Sequence, residues 1–84
     1  MNEWIEKDGS MSKTFEFSSF EAAMDWMSNV GKVITKLDHH PAWSNTYNKV
    51  HVQLTTHDAG NMITEKDRQL ALEMDEAFAD SINQ

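Results

Sequence analysis

Three imidazoles and one carboxylate fall close together in this sequence. They are His39, His40, His57 and Asp67. His39 and His40 run straight into Pro41, and Trp43 and Tyr47 follow. An imidazole titrates near about 6.5, so it can give or take a proton at neutral pH. A proline after two histidines would hold both rings in a restrained loop. Each residue also has a plain structural reading. His39 and His40 could be solvated surface groups, His57 a strand-end residue, and Asp67 a helix-dipole partner. Trp43 and Tyr47 could simply pack. The conjunction favours chemistry: imidazoles and a carboxylate at element ends, with aromatics between them.

Two alternatives bear on that reading. His51 lies in a run of alternating residues and belongs on the polar side of a strand, so it is set apart as a solvated or interface residue. A nitrogen and oxygen metal site from His39, His57 and Asp67 is conceivable. The sequence shows neither a His-x3-His nor a His-Glu-x2-His spacing to support it. His51 and His57, six residues apart along a strand path, would stand roughly 20 Å from one another.

The elements that must position these groups follow from periodicity. Trp4 to Lys7, the Asp8-Gly9 turn signal and the alternating Lys13–Phe17 segment predict a hairpin. Ser18 and Glu21 have capping-box spacing. Phe20, Met24, Met27, Val30 or Gly31, Ile34 and Leu37 then mark one apolar helical stripe. Gly31 inside that helix suggests a close backbone neighbour. Pro41 ends the helix near Asp38 or His39. Trp43 to Tyr47 reads as one strand, turning near Asn45 or Asn48. Val50, Val52 and Leu54 against Lys49, His51 and Gln53 read as a half-buried second strand. Thr64 to Asp67 opens a second helix carrying Leu70, Ala71, Met74, Ala77, Phe78 and Ile82 on its apolar side. The expected fold is α+β in the order β-β-α-β-β-α: a four-stranded antiparallel sheet with two helices packed on one face. Residues 1–84 are expected to form a single domain.

Composition narrows the function. The chain has 84 residues, a formal net charge of -7 and no cysteine. That charge disfavours nucleic acid and anionic membrane surfaces. The missing cysteines remove disulfides and thiolate metal sites. With no apolar leader and no run of membrane-spanning length, a cytoplasmic protein is expected.

At these residues the sequence resembles the pterin-4a-carbinolamine dehydratase family, also known as dimerisation cofactors of a homeodomain transcription factor. The resemblance rests on His39-His40-Pro41, Tyr47, His57 after nine intervening residues, and Asp67 after nine more. Leu54-Thr55-Thr56-His57-Asp58 and the helix start at Thr64 also match. It implies a lyase of tetrahydrobiopterin metabolism that dehydrates 4a-hydroxytetrahydropterin to quinonoid dihydropterin, with neither metal nor organic cofactor. It implies His39 and His57 as acids beside the leaving hydroxyl, and His40 as the base or pterin-orienting group. Asp67 would hold an imidazole in its productive tautomer. Thr35, Asp38, Pro41, Trp43, Thr56 and Asp58 would line the substrate site, with Trp43 as a wall. Implied partners are the pterin, further copies in a homodimer or homotetramer, and an aromatic amino acid hydroxylase.

The sequence departs from the family in two ways. Thr35 stands where the family has glutamate, one helical turn before His39, and it cannot ionise. The helical segment that usually precedes the first strand is also absent. A catalytically weak pterin-binding or protein-interaction module is the alternative expectation.

Overall fold

The computed structural model describes residues 3–82. The side chain of Ile82, expected on the second helix's stripe, lies outside the described set, as do Met1 and Asn2. Strands β1 (Ile5–Lys7) and β2 (Ser10–Glu16) form the first hairpin. Helix α1 (Phe20–Leu37) follows, then β3 (Ala42–Thr46), β4 (Lys49–Leu54), a single 3-10 turn (His57–Ala59) and helix α2 (Glu65–Ile82). The sheet is antiparallel with strand order β1-β2-β4-β3. This is the expected β-β-α-β-β-α order and fold class.

Alternation along the strands decides which face is covered. Met11 and Phe15 on β2 pair with Leu54 and Val50 on β4, and all four are buried. Their neighbours Thr14 and His51 pair on the opposite, open face. The helices cover the apolar side. Trp26 of α1 and Phe78 of α2 both pack on Phe15 and Phe17, with ring centroids 4.5–5.4 Å apart. The Trp26 indole also donates to the Met74 carbonyl at 3.3 Å. That bond satisfies its polar edge inside the core.

Three expectations about α1 need correction. The cap is Ser19, whose hydroxyl accepts from the Ala22 amide at 3.1 Å, and not Ser18. The buried stripe is Ala23, Trp26, Val30 and Ile34. Phe20 is 43% exposed at the first helical position. The expected stripe began at Phe20 and omitted Trp26, so it sat partly round the helix from the true one. Finally, Gly31 has no close backbone neighbour: a Cβ built there meets nothing within 4 Å.

Turn chemistry closes the remaining connections. Tyr47 takes a left-handed φ of 54° between β3 and β4. Asn45 holds that turn by donating to the carbonyls of Tyr47 and Lys49. Asn48 and Phe17 exchange two hydrogen bonds, which tie the turn to the end of β2. No described helix is long and apolar enough to cross a membrane.

Gly31→Ala should therefore stabilise the fold by about 0.5–1 kcal/mol, the helix-propensity difference with no steric charge against it. Thermal unfolding should show a Tm higher by a few degrees. An unchanged or lower Tm would mean that the space beside Gly31 is needed.

Candidate functional site

The site begins at the end of α1. Asp38 adopts φ 52°, ψ 44°, the left-handed position that terminates helices, which Asp tolerates better than most residues. The His39 amide then bonds back to the Ile34 carbonyl at 3.4 Å. Pro41 keeps the following chain extended. Successive side chains of an extended segment point to opposite sides. His39 accordingly turns inward, with 10% of its side chain exposed, while His40 turns outward with 72% exposed.

This geometry overturns one argument from the sequence. Thr35 and His39 were expected to share a helical face. The left-handed Asp38 breaks the helix between them, so the one-turn spacing does not apply. Thr35 is exposed, and its hydroxyl donates to the Gly31 carbonyl at 3.1 Å. Asp38 is likewise no helical residue. Its carboxylate is 92% exposed and lies 3.7 Å from the His40 ring, a pairing that solvent makes weak.

His39 Nε2–H donates to Asp67 Oδ1 at 2.6 Å. Asp67 has no exposed surface. Its Oδ2 accepts from the Thr56 hydroxyl at 2.7 Å and from the Thr64 amide at 2.9 Å. The Thr56 proton is thus committed, so in the 2.7 Å contact between the two threonine hydroxyls it is Thr64 that donates. The bond to the Thr64 amide is half of the capping box predicted at this helix start, with Asp in the usual Glu position. Burial pushes the Asp67 carboxyl up. The hydrogen bonds from His39, Thr56 and the Thr64 amide, with the charge of His39 when protonated, outweigh it and hold the group below its ordinary 3.8.

His57 opens the 3-10 turn after β4 and is exposed. Its Nδ1–H donates to Asn61 Oδ1 at 2.8 Å, which leaves Nε2 directed elsewhere. His40 and His57 line one groove of about 280 Å³ together with Asp8, Gln53, Thr55 and Asn61. The structure therefore brings the four predicted groups together in two sets. His39 and Asp67 lock to one another, with Thr56, below the surface. His40 and His57 face one groove above.

The remaining predicted residues are more scattered. Asp58 is exposed in the 3-10 turn and Pro41 is half-buried. Trp43 packs on the helix side of the sheet, 6.1 Å from the Trp26 ring. His51 pairs with Thr14 over a broad depression on the open sheet face, as its strand parity foretold. Among the described residues, no group of three or more His, Asp or Glu side chains is placed to hold a metal ion. Thr64, Asn61 and Asp8 escaped the sequence reading. Only Thr64 carried a local signal, as the cap of α2.

The fold and these imidazoles define an α+β domain with titratable groups gathered at its loop ends. The family model described as pterin 4 alpha carbinolamine dehydratase matches residues 1–77. A Bordetella avium protein named "Putative pterin-4-alpha-carbinolamine dehydratase" is 51% identical over 70 residues, covering 83% of this chain and 64% of that protein. A Rhizobium meliloti protein of the same name is 47% identical, covering 92% of this chain and 75% of its own length. Among solved structures, a transcriptional coactivator/pterin dehydratase from Brucella melitensis superposes with a TM-score of 0.83 at 37% identity, over 88% of this chain and 80% of that one. A pterin dehydratase-like protein described as a RuBisCO assembly factor in the alpha-carboxysome superposes with a TM-score of 0.75 over 92% of this chain and 88% of that one. At 17% identity, that likeness shows the fold alone. The chain belongs to the pterin 4 alpha carbinolamine dehydratase family.

Breaking the Asp67 cluster should cost stability in a pH-dependent way. Because the folded carboxyl titrates below its unfolded value, the unfolded chain binds more protons between the two. The contribution is present above the unfolded pKa and is lost as pH falls through the folded one. Asp67→Asn should lose roughly 3 kcal/mol at neutral pH. In urea titrations from neutral to strongly acidic pH, it should also lose much of the wild-type acid limb. An acid limb as steep as wild type would assign that limb to other carboxylates.

Proposed function

We propose that the chain dehydrates a 4a-hydroxytetrahydropterin to the quinonoid dihydropterin, recycling the pterin released by an aromatic amino acid hydroxylase. The observation that carries this reading is the shared groove of His40 and His57, beside an imidazole held on a buried carboxylate. At about 280 Å³ the groove lies near the small end of ligand sites, suited to a bicyclic ring.

The reaction needs two proton transfers. One imidazolium protonates the 4a-hydroxyl, the C4a–O bond breaks, and water leaves. One neutral imidazole takes the N5 proton, and its electron pair forms the new C4a=N5 bond. His57 suits the acid role: its Nδ1 is occupied by Asn61, which leaves Nε2 for the leaving hydroxyl. His40 suits the base role from the other side of the groove. His39 acts with Asp67 as the fixed floor that sets where His40 emerges, and it stays available as a second acid. Asp38, Pro41, Thr56 and Asp58 shape the segments that carry these rings. Trp43 supports β3 beneath them. Further copies of the chain are expected on the exposed edges of β1 and β3 and on the half-exposed Phe20.

The test is quinonoid dihydropterin formation from synthetic 4a-hydroxytetrahydropterin. His40→Ala and His57→Ala should each lower kcat/KM by about 100-fold or more. If the wild type is no faster than the double variant, this site does not catalyse the reaction.

Thr35 supports a second reading, in which turnover is weak and the domain serves to bind a pterin or a protein. The similar Brucella protein is described as a coactivator as well as a dehydratase. Under the enzymatic reading, Thr35→Glu should raise kcat/KM by about 10-fold or more, the worth of one charge-assisted contact. No change in either turnover or pterin affinity would place Thr35 outside the site.

A further inference from the structure

We propose that Asp8, from the turn between β1 and β2, is the specificity-determining anion of the His40–His57 groove, accepting two hydrogen bonds from adjacent N–H groups on the edge of the bound heterocycle. The proposal rests on the pterin-site reading above. Its starting point is an inventory of the side chains around the groove. Thr55 donates its hydroxyl to the Gly9 carbonyl at 2.7 Å. Gln53 donates its amide to Ser10 at 3.0 Å. The Asn61 oxygen is taken by His57. Asp8 is the acid in this lining. Among the described residues its carboxylate has no hydrogen-bond or ion-pair partner, so its acceptor capacity is available to a ligand.

The turn that carries Asp8 is held from two sides. Asp8 and Gly9 both have positive φ, 54° and 80°, between the paired residues Lys7 and Ser10. That is the two-residue hairpin turn with both centres left-handed, for which Asp-Gly is a preferred pair. Gly9 lies so close to the 3-10 turn that a Cβ there would stand 2.1 Å from the Asn61 carbonyl oxygen. Thr55 holds the Gly9 carbonyl from the end of β4. Asp8 is thus presented from a fixed backbone to the same groove as both histidines.

The matching ligand chemistry follows from the acceptor. A carboxylate offers two oxygens to a pair of parallel N–H donors. The 2-amino-4-oxo pyrimidine edge of a pterin presents such a pair, at the ring nitrogen and the exocyclic amine. Bound there, that edge leaves the reacting end of the bicycle to the histidines. A ring without the exocyclic amine offers one donor fewer and loses one of the two bonds.

The plain alternative is that Asp8 serves the turn only. Asp8→Asn separates the two, because Asn-Gly suits this turn as well as Asp-Gly while removing the charge. Binding of 7,8-dihydrobiopterin to the full chain should be titrated for wild type, Asp8→Asn and His40→Ala, alongside the 2-deamino analogue and thermal unfolding. Asp8→Asn is expected to keep the wild-type Tm and to bind dihydrobiopterin about 10- to 150-fold more weakly. It should lose much less affinity for the 2-deamino analogue. If Asp8→Asn binds like wild type while His40→Ala binds weakly, the role of Asp8 is refuted and the groove reading stands. A wild type that binds no dihydrobiopterin refutes both.

Discussion

The carboxylate of Asp67 sits at the first turn of α2 and accepts hydrogen bonds from the end of α1, the end of β4 and the cap of α2 itself. Each of those segments would otherwise leave polar groups short of partners where the chain turns inward. One buried acid meets all of these needs. Such a group is stable as an ion only when its oxygens are well supplied with donors. Three donors at 2.6–2.9 Å supply them, and the net result is a carboxyl held below its usual range despite burial. The arrangement is also cooperative. Moving any one element withdraws a donor and raises the cost of burying the charge for the other two.

The rest of the site hangs from that anchor. With His39 fixed on Asp67, the extended path set by Asp38 and Pro41 sends His40 to the opposite side. With Thr56 fixed on the same carboxylate, the chain leaves β4 at a set angle, and His57 begins the turn that follows. The bridge between Thr56 and Met62 closes that turn at its far end. Two imidazoles far apart in sequence thus reach one groove because their immediate neighbours share one acid. Left-handed backbone recurs at the same place: Asp8, Asp38 and Asn61 all have positive φ close to the histidines. Asp and Asn bear that conformation at lower cost than other side chains with a Cβ. Their placement at the chain's sharp corners is local chemistry serving a nonlocal geometry.

The sequence made the architecture legible wherever the signal was local. Alternation in Val50, Val52 and Leu54 marked β4 and its buried face. Asp8-Gly9 marked the first hairpin, and Thr64 with Asp67 marked the start of α2. It misled where two local patterns competed. On α1 the larger side chains Phe20 and Met24 drew the apolar stripe away from Ala23 and Trp26. Yet the small Ala23 is fully buried, and Trp26 joins the two helices and the sheet. At the site, residue type and spacing singled out His39, His40, His57 and Asp67. How they would group depended on contacts across 28 residues for His39 with Asp67 and across 46 for Thr55 with Gly9. No periodicity encodes such pairings. The same limit hid Asp8, whose place at the groove depends on the first hairpin docking against the Asn61 turn.

The division of the site into a buried pair and an exposed pair has a consequence for how chemistry and stability can vary in this fold. His39, Asp67, Thr56 and Thr64 satisfy one another completely, so a change at any of them is felt first as lost stability. His40, His57 and Asp8 lie on exposed corners held by backbone contacts, and their side chains contribute little to packing. They can be exchanged at small cost to the fold. A scaffold of this kind can keep its shape while its surface imidazoles and acids are retuned or removed. This offers a physical reason why one fold can hold a dehydratase site in one chain and a binding surface in another. For this chain, both exposed histidines and the turn aspartate remain beside an intact anchor, the combination expected of a groove still used for its ligand.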